Sequence, residues 1–166
     1  RWFGESFTGE RIPRLEEVLE FLKGKKVQLH IELKNGIVLY RSLEEKVLQA
    51  VKDYGMEEQV SISSFNHYSL LKIKQLQPSI KTGILYVAGL VAPWDYAKRI
   101  QADEIHPLHY GVQPEIVEGC SDNEIPIYTY TVNEDHDLER IAKLGVEGII
   151  TDYPDRGRAI IQSLFD

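Results

Sequence analysis

The segment His30-Ile31-Glu32-Leu33-Lys34 sets an acid two residues before a base, inside an apolar run. In an extended strand the period of two puts His30, Glu32 and Lys34 on one face and Ile31 and Leu33 on the other. Burying such charges costs on the order of several kcal/mol unless they are paired or bound to a metal. Two chemistries fit: an internal Glu32–Lys34 ion pair, or a metal-binding carboxylate beside a phosphate-binding ammonium. Phe65 falls at the end of Ser61-Ile62-Ser63-Ser64, where it offers an apolar platform for a substrate or simply core. Tyr128 and Tyr130 share a strand face and suit either a substrate wall or a core with wet hydroxyls. His106 and His109 are three apart, but Pro107 opposes a helix that would align them on a metal, so a structural role fits better. Asp152, before Tyr153-Pro154, reads as a ligand or as a turn residue leading a helix.

These residues sit in a regular alternation. Val27–Leu33, Val60–Phe65, Lys81–Tyr86, Ala102–His106, Ile125–Val132 and Gly148–Thr151 read as strands. Leu15, Val18, Leu19 and Leu22 share one helical face, with Pro13 in the first turn. Ser42–Tyr54, with Gly55 as its cap, His67–Leu76, Glu134–Leu144 and Asp155–Phe165 are further helices. Asn133 is the expected N-cap and Gly145 the C-terminal stop of the fourth. The alternation predicts parallel strands joined by crossover helices, in about six βα units. A complete barrel has eight strands, and functional side chains gather at the C-terminal strand ends. The chain therefore reads as an open α/β sheet, or as a TIM-type (β/α)8 barrel incomplete by its first two strands, in one domain spanning 1–166.

Composition narrows the partners. The 166 residues carry a net charge of −7, with 26 acidic against 19 basic residues, which argues against nucleic acid. No apolar run approaches the roughly 20 residues of a membrane span. Lone Cys120 cannot pair internally and carries no nucleophile signature. There is no Gly-rich phosphate loop, no Gly-x-Ser-x-Gly elbow and no His-Glu-x-x-His helix. The chain opens Arg1-Trp2-Phe3-Gly4, without an initiator Met or a signal peptide.

Several segments resemble one family. Gly9-Glu10-Arg11-Ile12-Pro13-Arg14-Leu15-Glu16-Glu17-Val18-Leu19 is similar to the stretch before the third strand of glycerophosphodiester phosphodiesterases. His30-Ile31-Glu32-Leu33-Lys34 resembles their Ile-Glu-hydrophobic-Lys strand, and Ser63-Ser64-Phe65 their Ser-Phe strand end. Thr131-Val132-Asn133 and Gly148-Ile149-Ile150-Thr151-Asp152-Tyr153-Pro154 resemble their seventh and eighth strand ends. The matches run in family order and cover the family's C-terminal two-thirds.

The resemblance implies hydrolysis of glycerophosphodiesters to glycerol 3-phosphate and an alcohol by a metal-dependent, cytoplasmic enzyme that uses Mg²⁺ or Ca²⁺. Its partner is a small-molecule substrate, and oligomerisation stays open. By resemblance, Glu32 matches a metal ligand, Lys34 a residue reaching the phosphate, and Phe65 a wall beside the glycerol. Tyr130 stands where the family usually has Trp. The family's His-Arg, Glu-x-Asp and His-Asp motifs, which carry its histidines and two metal ligands, are absent, so no catalytic residue is assigned. One carboxylate is too few for a hard-cation site, and the chain by itself is expected to be inactive and, with open sheet edges, unstable. A non-catalytic scaffold derived from the same barrel is the alternative. Lys34 as a Schiff-base lysine is a third reading, opposed by Glu32, because a neighbouring anion favours the charged amine.

Overall fold

A computed structural model describes residues 5–166; Arg1–Gly4, noted above for the missing Met, lie outside the described residues. Six strands follow in chain order: β1 (Leu29–Glu32), β2 (Val60–Ser64), β3 (Lys81–Tyr86), β4 (Glu104–Pro107), β5 (Tyr128–Thr129) and β6 (Gly148–Ile149). All pairings are parallel. The first four form one ladder and the last two another. Parallel bridges Ile105–Ile127 and Leu108–Tyr130 join the two ladders, so the strands lie in sequence order.

Among the described residues seven α-helices cover the outside: α1 (Leu15–Leu22), α2 (Leu43–Asp53), α3 (His67–Leu76), α4 (Pro93–Arg99), α5 (Pro114–Asp122), α6 (Asp135–Leu144) and α7 (Pro154–Phe165). The core fills the layer between sheet and helices. Val60 and Ile62 pack with Leu19, Val47, Val51 and Ile73. Ile84, Ile105 and Ile127 pack with Leu70, Ala97 and Cys120. Each such aliphatic side chain, once buried, contributes about 1.5–3 kcal/mol. Burial pushes the Cys120 thiol up to about 11, consistent with its lack of a nucleophile signature.

The opposite face of the sheet is polar. Register aligns Glu32, Ser63, Gly83 and Glu104 along one line of inward positions. The sheet rolls about this face: the His30 ring of β1 lies 4.8 Å from the Tyr128 ring of β5. Glu104, 2% exposed, accepts hydrogen bonds from Ser61 Oγ and from His106 Nε2, the latter at 3.0 Å. A carboxylate only accepts, so His106 donates from Nε2. Gly83 makes room for that ring, since a Cβ there would sit 2.5 Å from His106 Nε2.

Some boundaries differ from those read in the sequence. β1 starts at Leu29, and Val27 is 40% exposed outside the ladder. β4 starts at Glu104 and runs to Pro107. β5 shrinks to two residues, because Pro126 has no N–H to donate to the ladder. Pro13 precedes α1: Arg14 is the N-cap, and its backbone N–H donates to Glu17 Oε2 at 2.7 Å. Asn133 does not cap α6. Glu134 holds that place, while the Asn133 side chain bonds across to Thr151 and Asp152. Gly145 does end α6, at φ 77°. The proline-led helices α4 and α5 escape a search for long apolar periods, because they are only 7 and 9 residues long.

Two polar clusters lock strand ends to helices. Beyond β1, buried Asn35 donates from Nδ2 to Ser69 Oγ at 2.7 Å and accepts from Ser64 Oγ at 3.1 Å. Ser69 Oγ in turn donates to Glu44 Oε1 at 2.6 Å, and Lys72 pairs with Glu44 at 3.0 Å. Burial raises the Glu44 carboxyl, but the Ser69 and Lys72 hydrogen bonds outweigh it and hold the group below its ordinary value. Beyond β4, buried His109 lies 3.7 Å from Asp137 and 3.3 Å from Arg140. Burial lowers the His109 pKa against the attraction of Asp137, with Arg140 and His136 lowering it further.

Two outcomes are expected. Gly83→Ala should lower stability by about 1–3 kcal/mol through overpacking against the His106 ring, read as a drop in chemical-denaturation midpoint. Both His109 and Glu44 titrate lower folded than unfolded, so each stabilises the fold above its unfolded pKa and loses that contribution as pH falls. The melting temperature should therefore drop first as pH falls below about 6.5 and again below about 4.5. His109→Gln should reduce the upper step in calorimetry, to which His30, also lowered by burial, contributes the rest, and an unchanged upper step in that variant would contradict the role given to His109.

Candidate active site

The strand ends form a mouth, as parallel barrels require. β1 delivers Glu32, and Lys34 follows two residues later on the same face. Lys34 Nζ lies 2.5 Å from Glu32 Oε2. The Lys34 side chain is 78% exposed and that of Glu32 32%. The pair exists but is not an internal one, since both groups are open to solvent. An exposed pair contributes about 0–1 kcal/mol, so stability does not account for it.

The opposite wall is aromatic. Phe65 follows directly after β2, and Tyr130 directly after β5. Their rings meet edge to face, with centroids 5.9 Å apart at 89°. Phe65 is 46% exposed, so it is not simply core. Tyr130 donates its hydroxyl proton to the Tyr86 carbonyl at 3.0 Å, which fixes the ring over the end of β3. Burial raises the Tyr130 pKa, and the negative charge of Glu32 raises it further. Glu32 at the end of β1, Phe65 directly after β2 and Tyr130 directly after β5 all stand at the C-terminal ends of their parallel strands.

Asp152 does not reach into this opening as a free ligand. It accepts from Asn133 Nδ2 at 2.8 Å, and its own N–H donates to Asn133 Oδ1 at 3.0 Å. This clip ties the ends of β5 and β6 together, which is the turn role. His106 and His109 do not form a metal pair: the first turns inward to Glu104, and the second turns to Arg140 and Asp137.

A hard cation takes about six or more oxygen ligands. Among the described residues, the group of three or more His, Cys, Asp or Glu with ligand atoms within 4.8 Å of one another is His30, Glu104 and His106. Glu32 is not in it. The described residues therefore offer an Mg²⁺ or Ca²⁺ ion one carboxylate at the mouth and do not complete such a site.

Sequence reasoning missed Asn35, which anchors the segment after Glu32 and Lys34, and the inward group of Ser61, Glu104 and His106. The period-two spacing of Glu104 and His106 was a signal for the second. Nothing in the spacing showed which strand each would meet.

Comparisons with known proteins identify the family. Residues 1–156 match the Glycerophosphoryl diester phosphodiesterase family. A glycerophosphodiester phosphodiesterase of Caldanaerobacter subterraneus subsp. tengcongensis is 50% identical over 153 residues, covering 92% of this chain and 63% of that protein. One from Bacillus altitudinis is 36% identical over 165 residues, covering 98% and 67%. The chain thus spans about two thirds of the length of these relatives. In fold it resembles a glycerophosphodiester phosphodiesterase from Parabacteroides distasonis, with a TM-score of 0.83 at 23% identity, covering 95% of this chain and 67% of the other. An Oleispira antarctica phosphodiesterase, solved with its product sn-glycerol-3-phosphate, superposes with a TM-score of 0.75 at 22% identity, covering 91% and 62%. The six parallel strands, the polar inward face and the match across nearly the whole sequence place this chain in the glycerophosphoryl diester phosphodiesterase family.

Proposed function

We propose that the protein hydrolyses glycerophosphodiesters to glycerol 3-phosphate and an alcohol. The observation that carries this reading is the exposed Glu32–Lys34 pair at the barrel mouth, facing Phe65 and Tyr130, in a chain of this family. A diester phosphate is anionic, and the exposed Lys34 ammonium is free to swing toward it. There it would stabilise charge building on the phosphoryl oxygens. The Phe65 edge and Tyr130 ring would pack against the carbons of the glycerol. Tyr130, held by the Tyr86 carbonyl, would keep that wall rigid. A divalent cation, Mg²⁺ or Ca²⁺, would polarise the phosphate, with Glu32 as the oxygen ligand that the described residues contribute. A non-catalytic scaffold role for the chain alone draws support from that single mouth carboxylate.

The test is an assay of glycerophosphocholine hydrolysis by the gene's full-length product and by the 166-residue chain in parallel. The full-length protein should turn over and lose activity with a chelator, whereas the chain alone should not. Lys34→Ala and Glu32→Gln should each lower kcat/KM by about 100-fold or more, as expected for removing a charge aimed at the phosphate. A full-length protein without turnover under any divalent cation would rule the reading out. Metal-dependent turnover by the chain alone would overturn the claim that its carboxylates are too few.

A further inference from the structure

We infer that His30, Glu104 and His106 form a second metal site, for a divalent transition ion of the zinc class, on the inward face of the sheet. The site is separate from Glu32 and does not rest on the proposed hydrolysis. His30 Nδ1 lies 3.6 Å from Glu104 Oε1, and His106 Nε2 lies 3.0 Å from the same oxygen. All three ligand atoms fall within 4.8 Å of one another. Zinc bonds of about 2.0–2.2 Å in tetrahedral geometry place neighbouring ligand atoms roughly 3.3–3.6 Å apart. The three donors therefore stand close to the spacing an ion would impose, with small side-chain adjustments.

The surroundings are built to hold these donors. Ser61 Oγ donates to the carboxylate and fixes its orientation, as outer hydrogen bonds do around metal ligands. The Tyr128 ring packs 4.8 Å from His30 and 5.5 Å from His106. Gly83 leaves the space in which the His106 ring lies. The side chains of Glu104 and His106 are 3% and 1% exposed, whereas that of His30 is 32% exposed and gives an ion a way in. Three protein ligands leave a fourth position for water.

The charge balance fits a dication. Glu104 supplies a negative charge beside the two imidazoles of His30 and His106, within 4.8 Å of both. Two imidazoles and one carboxylate suit zinc over Mg²⁺ or Ca²⁺, which demand oxygen. The arrangement contrasts with the mouth, where Glu32 offers oxygen alone.

The test uses metal-free full-length protein carrying Glu32→Gln, so that the mouth carboxylate does not contribute, titrated with Co²⁺ and then Zn²⁺. One Co²⁺ per chain should bind with the intense visible bands of a four- or five-coordinate ion, and one equivalent of Zn²⁺ should remove them. Ser61→Ala should weaken binding by about 10–100-fold, as loss of an outer hydrogen bond does. His30→Ala removes the most exposed ligand and should abolish the bands while the far-ultraviolet dichroism stays native. If that variant unfolds, Glu104→Gln, which keeps the side-chain shape, should do the same. Only weak octahedral Co²⁺ bands, or undiminished binding in folded His30→Ala or Glu104→Gln protein, would overturn the site and leave the cluster a hydrogen-bonded element of the interior.

Discussion

A carboxylate shut away from water must be compensated, and Glu104 is the group on which this interior turns. It is 2% exposed and points from β4 into the curve of the sheet. One donor comes from another strand, Ser61 of β2, and the other, His106, from β4 itself, with His30 of β1 close by. An uncompensated buried charge costs on the order of several kcal/mol, so the strands that supply these donors are held in a fixed relation to β4. Burial raises the Glu104 carboxyl, but the His106 and Ser61 hydrogen bonds outweigh it and keep the group below its ordinary value. The roll of the sheet about this point brings the ends of β1, β2 and β5 to one opening.

The chain handles charge differently in two places. In the interior, Ser61 and His106 both hydrogen-bond to Glu104, and glycine at position 83 leaves room for the His106 ring. At the mouth, Glu32 and Lys34 stay in solvent, where pairing contributes little to stability and either group is free to change partners. Rigid support comes from behind. Asn35 ties the segment after Lys34 to Ser64 and Ser69, and through Ser69 to Glu44 on α2. The Asn133–Asp152 clip does the same for the ends of β5 and β6.

Much of the fold can be read along the chain, because parallel strands and their covering helices leave local patterns. The isoleucines of β2, β3 and β4 mark the face turned to the helices, and α2 and α3 announce themselves by period. The short helices α4 and α5 do not, since one or two turns hold too few apolar positions to show a period. A strand read over Ile125–Val132 is longer than β5, because Ile125 and Ile127 look strand-like whether or not Pro126 can join the ladder. Asn133 suits a cap by type, yet its side chain bonds instead to the segment that follows β6. Of the candidate site, Glu32, Lys34, Phe65 and Tyr130 are legible as polar or aromatic residues at strand ends.

Residue order alone determined that Glu32 and Lys34 share a face, that Ile31 and Leu33 oppose them, and that strands alternate with helices. These follow from backbone geometry, which is local and the same in every strand. Only the tertiary structure decided that Ser61 meets Glu104 across 43 positions, that His30 joins them, and that Phe65 stands edge-on to Tyr130. Those contacts depend on strand register and on the curvature of the sheet, which many side chains set together and no single segment encodes.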